Sequence, residues 1–267
     1  MIRVVICGAA GRMGRENISL FSLSEDVEII GAVEARDSKY IGHDAGRIAG
    51  LDNIGISITA NLEDVIQNSD VIVDFTAPDS TMEIIKIASK YGKGMVIGTT
   101  GFSSERVEII KNYSEDIPIF ISPNMSQGVN ILMYLVKKAT EFLGEDFEVE
   151  ITEVHHNRKK DAPSGTALSF GEVIAQSRGT TLDKVGVFGR QGITGERKKH
   201  EIGISSIRLS DVVGDHSIIF GGPGERIEFI HKSSSRKTYA SGALRAVKFI
   251  AQKKKGLYTM KDMLGIE

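Results

Sequence analysis

The stretch from Val4 to Glu34 constrains this chain more than any other. Val4-Val5-Ile6-Cys7 is a continuous apolar run, the pattern of a strand buried on both faces of a parallel sheet. It runs directly into Gly8-Ala9-Ala10-Gly11-Arg12-Met13-Gly14. A helical pattern follows from Arg15 to Phe21, then a second strand pattern from Val27 to Val33 that ends on Glu34. Strand, glycine turn, helix, strand and acid is the order of a dinucleotide-binding unit, with the acid about 20 residues past the last glycine. Glycine lets the backbone approach a pyrophosphate, and the helix start offers it unpaired N–H groups and a positive dipole end. The spacing is G-x-x-G-x-x-G rather than G-x-G-x-x-G, so the flanking elements carry the argument more than the glycines do. Gly8, Ala9, Ala10, Gly11, Arg12 and Met13 are the expected phosphate residues, and Glu34 the expected ribose ligand. Arg12 either covers the phosphates or is a solvated cation at a helix start. Arg36 and Lys39 either hold a 2′-phosphate or are loop charges, so both NADH and NADPH are expected cofactors.

The alternation continues. Ile56–Thr59 reads as a short strand and Leu62–Ile66 as a helix. Val71–Phe75 reads as a buried strand, followed by a helix that Pro78 and Asp79 open and that Thr81–Tyr91 fill. Met95–Ile97 is the next strand, Ser104–Tyr113 the next helix and Ile117–Ile121 a further strand, with Pro118 marking an edge or a strand start. Repeated strand–helix units predict an α/β fold, a Rossmann-type doubly wound parallel sheet. Ligands in such folds bind beyond the carboxyl ends of the strands. The loops there, Phe75-Thr76, Gly98-Thr99-Thr100-Gly101 and Ser122-Pro123-Asn124-Met125, are therefore the expected walls of a nicotinamide pocket.

Near Gln127 the pattern changes. A long amphipathic helix, Asn130–Leu143, precedes an alternating run, Phe147–Thr152. After one more helix, three alternating or β-branched runs (201–209, 215–220 and 225–231) are separated by Val213-Gly214-Asp215 and Gly221-Gly222-Pro223-Gly224. Both separators are turn signals, so antiparallel hairpins and a second α+β domain with an open mixed or antiparallel sheet are expected. Residues 235–253 form a last helical pattern with a short tail. The net charge of −2 gives no basic field for nucleic acid or an anionic membrane. No apolar run approaches the ~20 residues of a membrane span. The start of the chain lacks the regions of a signal peptide, so a cytoplasmic protein is expected. A lone cysteine, Cys7, excludes an intrachain disulfide framework.

Reactive groups concentrate in Glu153-Val154-His155-His156-Asn157-Arg158-Lys159-Lys160-Asp161-Ala162-Pro163-Ser164-Gly165-Thr166-Ala167. Pro163 suits a first helical turn, and Ser164, Gly165 and Thr166 bring hydroxyl and N–H groups to a helix start, an anion site suited to a carboxylate. Histidine moves protons near neutral pH, and Lys159 either fixes a carboxylate or donates a proton. Adjacent strand residues point to opposite faces, so the His155–His156 pair is not expected to bind metal. A solvated basic loop with an ordinary helix cap is the competing reading.

This segment closely resembles the signature of the 4-hydroxy-tetrahydrodipicolinate reductase (dihydrodipicolinate reductase) family. The Gly8–Gly14 turn, Asp74-Phe75-Thr76, Gly98–Gly101 and Pro123-Asn124 resemble the family's cofactor motifs. Arg190-Gln191-Gly192, Thr194–Arg197 and Ser234-Ser235-Arg236 resemble further family segments in the expected order. The resemblance implies reduction of a small dicarboxylate, 4-hydroxy-tetrahydrodipicolinate, with NADH or NADPH and loss of water, on the lysine and diaminopimelate route. It implies His155 as general acid/base, Lys159 as proton donor, and His156, Ser164, Gly165 and Thr166 as substrate contacts, with Lys160 peripheral. It implies a homotetramer with a dinucleotide-binding domain of residues 1–126 and 236–267 and a substrate-binding and oligomerisation domain of residues 127–235. Many members follow the acid directly with Arg; here Ala35 intervenes, which implies dual cofactor use. Two alternatives are a different NAD(P)-dependent reductase of a small carboxylate and a non-catalytic nucleotide sensor. A sensor would have no use for a proton donor at Lys159.

Overall fold

The computed structural model describes residues 1–266 and divides them into two compact units. One is Met1–Gln127 with the segment from Arg236 onward, and the other is Gly128–Ser235.

In the first unit the chain alternates β1 (Ile2–Cys7), α1 (Arg12–Phe21), β2 (Val27–Val33), α2 (Ala45–Ile48) and β3 (Ile58–Thr59). It continues through β4 (Val71–Asp74), α3 (Pro78–Lys90), β5 (Gly94–Ile97), α4 (Ser104–Tyr113) and β6 (Pro118–Ile121). Joined by β12 (Gly256–Tyr258), these strands form a seven-stranded sheet in the order β12-β6-β5-β4-β1-β2-β3, and its pairs are parallel. Burial on both faces explains the apolar runs. Val4, Ile6, Val71 and Val73 pack into one core, and Val5, Cys7, Ile72 and Ile97 into another. Strand order reverses between β1 and β4, which creates a crevice at their carboxyl ends.

In the second unit α5 (Gln127–Leu143) leads to β7 (Glu148–His155), α6 (Gly165–Ser177), α7 (Leu182–Val185), β8 (Gly186–Phe188), β9 (Ile202–Arg208), β10 (Gly214–Gly222) and β11 (Glu225–Ser233). The sheet order is β11-β10-β7-β9-β8. The chain then returns to the first unit as α8 (Lys237–Ile250), β12 (Gly256–Tyr258) and α9 (Met260–Leu264). Ala243, Ala246, Val247 and Ile250 of α8 join the core that holds Ile18 and Phe21 of α1.

Several expectations are corrected. Leu62–Ile66 is only a short 3-10 turn, Leu62–Asp64, which the Asn61 side chain caps at its start by accepting from Glu63 N–H. Pro118 starts β6, where a missing N–H costs little, but β6 is not an edge: β12, from the short tail, pairs outside it. Of the two expected turns, Gly221–Gly224 closes a hairpin, between β10 and β11, and Val213–Asp215 does not. β9 and β10 flank β7 instead of pairing with each other, β9 running parallel to it and β10 antiparallel. The three-residue strand β8 was not legible. Pro163 lies outside its helix, because Ser164 is the residue that caps α6.

Candidate active site

The glycine turn is built as a cradle. Gly8 takes a left-handed φ of 75°, and Gly11 is the N-cap of α1, so the helix begins at Arg12. Gly11 supplies no side-chain cap, and the first turn holds no acid, so no carboxylate of its own competes for the amides there. A Cβ on Gly14 would lie 2.0 Å from Gly8 O, which is why α1 can press this close to the turn. Glu34 turns its carboxylate into the loop, where Oε1 accepts from Ala10 N–H at 2.7 Å.

Two cavities in the first unit gather most of the expected cofactor residues. A cavity of about 690 Å³ is lined by Gly8, Gly11, Glu34, Arg36 and Phe75, and by Asn61, Thr76 and Ile84 among others. That size suits part of a dinucleotide. A second, of about 270 Å³, is lined by Arg12, Met13, Phe75, Gly98, Pro123, Asn124 and Met125, with Arg236 and Tyr239 from the start of α8. Phe75 is common to both. The geometry therefore fits a nucleotide with one end at the glycine turn and the other among the loops after β4, β5 and β6.

Other expected residues do not line these cavities. Ala9 is buried. Thr100 is exposed. Ser122 is buried and donates its hydroxyl to Asn124 O at 2.8 Å. The Thr99 hydroxyl accepts from Thr76 N–H at 3.1 Å and approaches Asp74 Oδ2 at 3.4 Å. Asp74 organises this loop pair. It accepts from the Thr76 hydroxyl at 2.6 Å and from the Thr81 hydroxyl at 2.5 Å, and burial pushes its carboxyl up despite those bonds.

In the second unit the reactive segment begins on β7, whose buried face runs Val149, Ile151, Glu153, His155. His155 Nδ1 lies 2.5 Å from Glu153 Oε2, and Glu153 is wholly buried. Arg208 of β9 forks onto the same carboxylate at 2.9 Å to each oxygen, and Ser164 N–H donates to Oε1 at 3.1 Å. Burial alone would raise the Glu153 carboxyl. The bonds from Arg208, His155 and Ser206 outweigh it and hold the group at about 2. The Nε2 edge of His155 passes over Gly214: a Cβ there would sit 3.0 Å from it.

Arg208 also donates to Asp161 O at 2.6 Å, and the Asp161 carboxylate pairs with Lys159 Nζ at 2.8 Å. His155, Glu153, Arg208, Asp161 and Lys159 thus form one connected chain of contacts. Ser164 caps α6 by accepting from Ala167 N–H, and its Oγ also lies 3.0 Å from His216 Nε2, so its hydroxyl is already engaged. Gly165 is exposed at the start of α6, Thr166 follows half-buried, and the first turn of this helix carries no acid. His156 is half-buried just past β7, and Lys160 is exposed. Among the described residues no group of three or more His, Cys, Asp or Glu is arranged to hold a metal ion.

Arg208, His216 and Tyr239 have no place among the residues expected from the sequence, and Glu153, Asp74 and Arg236 stand there only as members of motifs, without a role of their own. Glu153 was readable. Extending the β7 alternation two steps places it on the buried face beside His155. His216 follows from the same logic on β10, where Gly214, His216, Ile218 and Phe220 alternate inward. His216 faces the His155 ring edge-on at 5.3 Å. Burial, then the nearby His155, lowers it to about 4.

Family comparisons agree across the chain. A family described as dihydrodipicolinate reductase, N-terminus, matches residues 2–125, and dihydrodipicolinate reductase, C-terminus, matches residues 128–264. The chain is 47% identical over 266 residues to a 4-hydroxy-tetrahydrodipicolinate reductase of Nitrosomonas eutropha, covering 100% of this chain and 99% of that one. It is 44% identical over 266 residues to the enzyme of that name from a Geobacter species, covering 100% of both. Among solved structures it resembles a dipicolinate-bound dihydrodipicolinate reductase from Paenisporosarcina sp. TG-14, with TM-score 0.79 and 27% identity over 98% of each chain. The glycine cradle, the His155–Glu153 pair and these full-length matches converge on one conclusion: the chain belongs to the dihydrodipicolinate reductase family.

Proposed function

We propose that this chain reduces 4-hydroxy-tetrahydrodipicolinate to tetrahydrodipicolinate with NADH or NADPH and loss of water, in lysine and diaminopimelate biosynthesis. The observation that carries the reading is the placement of an acid/base pair, His155 on Glu153, beside the acid-free first turn of α6. The names of the full-length relatives and the dipicolinate bound to the solved relative support the same substrate class.

The first unit binds the dinucleotide. The first-turn amides of α1 and the Arg12 guanidinium receive the phosphates, Glu34 takes the ribose hydroxyls, and the loops bearing Phe75, Gly98, Thr99, Thr100 and Ser122–Met125 shape the nicotinamide site. The bound cofactor supplies the hydride. The second unit holds the dicarboxylate. The amides of Gly165 and Thr166 bind one carboxylate at the positive end of α6, and His156 packs beside the ring. Ser164 acts through its cap, since its hydroxyl is engaged. Hydride addition needs one proton alongside it, and Lys159 donates it, with His155 Nε2 as the general acid/base that also serves the departing water. Exposed Ile131, Leu135 and Phe142 of α5 and Ile207 and Ile230 of the sheet support burial of this unit in a homotetramer, placed in the cytoplasm.

The direct test is oxidation of NADH and of NADPH with substrate generated enzymatically. Turnover supports the reading. Cofactor binding without turnover would reduce the chain to a nucleotide sensor.

A further inference from the structure

We propose that Glu153 is a positioning residue. It fixes His155 in the form protonated at Nδ1 and, through its other oxygen, sets the start of α6, so that the proton-transfer group and the anion-binding turn are held by one carboxylate. This rests on the reading of His155 as the acid/base.

The geometry leaves Glu153 little freedom. It is wholly buried, and every group that meets its oxygens is a donor: His155 Nδ1 and Arg208 Nη1 on Oε2, Ser164 N–H and Arg208 Nη2 on Oε1, and the Ser206 hydroxyl from β9. An ionised carboxylate can only accept. The bidentate Arg208 fork keeps it ionised, so the proton in the 2.5 Å contact belongs to His155 Nδ1. A neutral His155 then carries its lone pair on Nε2, the edge over Gly214. Neighbouring strands close the arrangement. In register with Glu153 lie His216 on β10 and Ser206 on β9, and opposite His155 lies Arg208.

The second oxygen gives Glu153 a role that an ordinary histidine partner lacks. Ser164 is the N-cap of α6, and its own N–H ends on Glu153. A shift of this carboxylate would therefore move both the imidazole and the turn that presents the Gly165 and Thr166 amides. Substrate affinity and the proton-transfer step should respond together.

The test is nitrogen-15 NMR of histidine-labelled full-length protein, with His155 assigned by loss of its signals in His155→Gln, combined with steady-state kinetics. In the wild type at a pH where His155 is neutral, Nδ1 is expected to be protonated and Nε2 bare. Glu153→Gln offers an amide that can donate to Nδ1. It should shift His155 toward the Nε2–H form, lower kcat roughly 100-fold and raise KM, with cofactor affinity unchanged. Glu153→Asp, which keeps the charge, should restore the Nδ1–H form and part of kcat. A wild-type His155 protonated at Nε2 would overturn the proposal, and that result needs no variant to fold. So would a Glu153→Gln enzyme with wild-type kcat and wild-type tautomer. Activity surviving in His155→Gln would instead remove the acid/base reading, while the tautomer result would still decide the role of Glu153.

Discussion

Replacing Arg208 with Met should strand a wholly buried carboxylate. The guanidinium provides two charge-assisted bonds to Glu153, each 2.9 Å, and two more to the carbonyls of Asp161 and Ile207. Breaking a buried ion pair from one side costs about 3–5 kcal/mol, because the remaining charge loses its partner. The Arg208 side chain keeps 22% of its surface exposed, which places the expected loss at the lower end, about 3 kcal/mol. Native-state hydrogen exchange of the β7 and β10 amides reads this within the second unit, and that loss corresponds to roughly 100-fold faster exchange through opening. A cycle with Glu153→Gln isolates the pair. The double variant should be more stable than the sum of the two single losses predicts, by about 2 kcal/mol, since a neutral amide no longer needs the guanidinium. A loss below about 1 kcal/mol in Arg208→Met, or strict additivity in the cycle, would refute the reasoning.

Acid should weaken the second unit in two steps. His216 is lowered from 6.5 to about 4, chiefly by burial, so the unfolded chain binds the proton first and stability falls as pH drops from about 6.5 to 4, by about 3 kcal/mol in full. Glu153, lowered from 4.5 to about 2, adds a loss of similar size over that lower range, and pH-dependent denaturation of His216→Gln should lack the upper step alone. Gly214→Ala places a methyl 3.0 Å from His155 Nε2 and 3.4 Å from Cδ2, while Glu153 holds the other side of the ring. Its kcat should fall on the order of tenfold, with a stability loss of about 1–3 kcal/mol by thermal melting. Both NADH and NADPH should support turnover, because Ala35 separates Glu34 from an exposed Arg36. A large NADPH preference in kcat/KM would contradict this.

The first unit was largely legible because its signals are local. Apolar runs mark β1, β2, β4 and β5, and Ser104–Tyr113 matches α4 end to end. What failed there was short or distant. β12 is three residues long, and its place beside β6 depends on a pairing across more than half the chain. In the second unit the runs were visible but their partners were not. Turn residues between β9 and β10 suggested a hairpin, whereas β7 takes the place between them. The reactive segment stood out through its charge and its helix-start residues. The groups that orient it did not. Arg208 lies 55 residues beyond Glu153, and only the parallel β7–β9 register brings it opposite His155. Arg236 and Tyr239 reach the cavity beside Met125 through the return of α8 to the first unit, for which no local pattern exists.

The central claim is that His155 and Lys159 carry the proton chemistry while the first unit alone holds the cofactor. Its most direct test is single-turnover oxidation of NADPH by wild type, His155→Ala and Lys159→Ala, with cofactor affinity measured in parallel. The account predicts reduction by the wild type, its loss by a factor on the order of 100 or more in each variant, and unchanged cofactor affinity in both. Undiminished rates in either variant would contradict it.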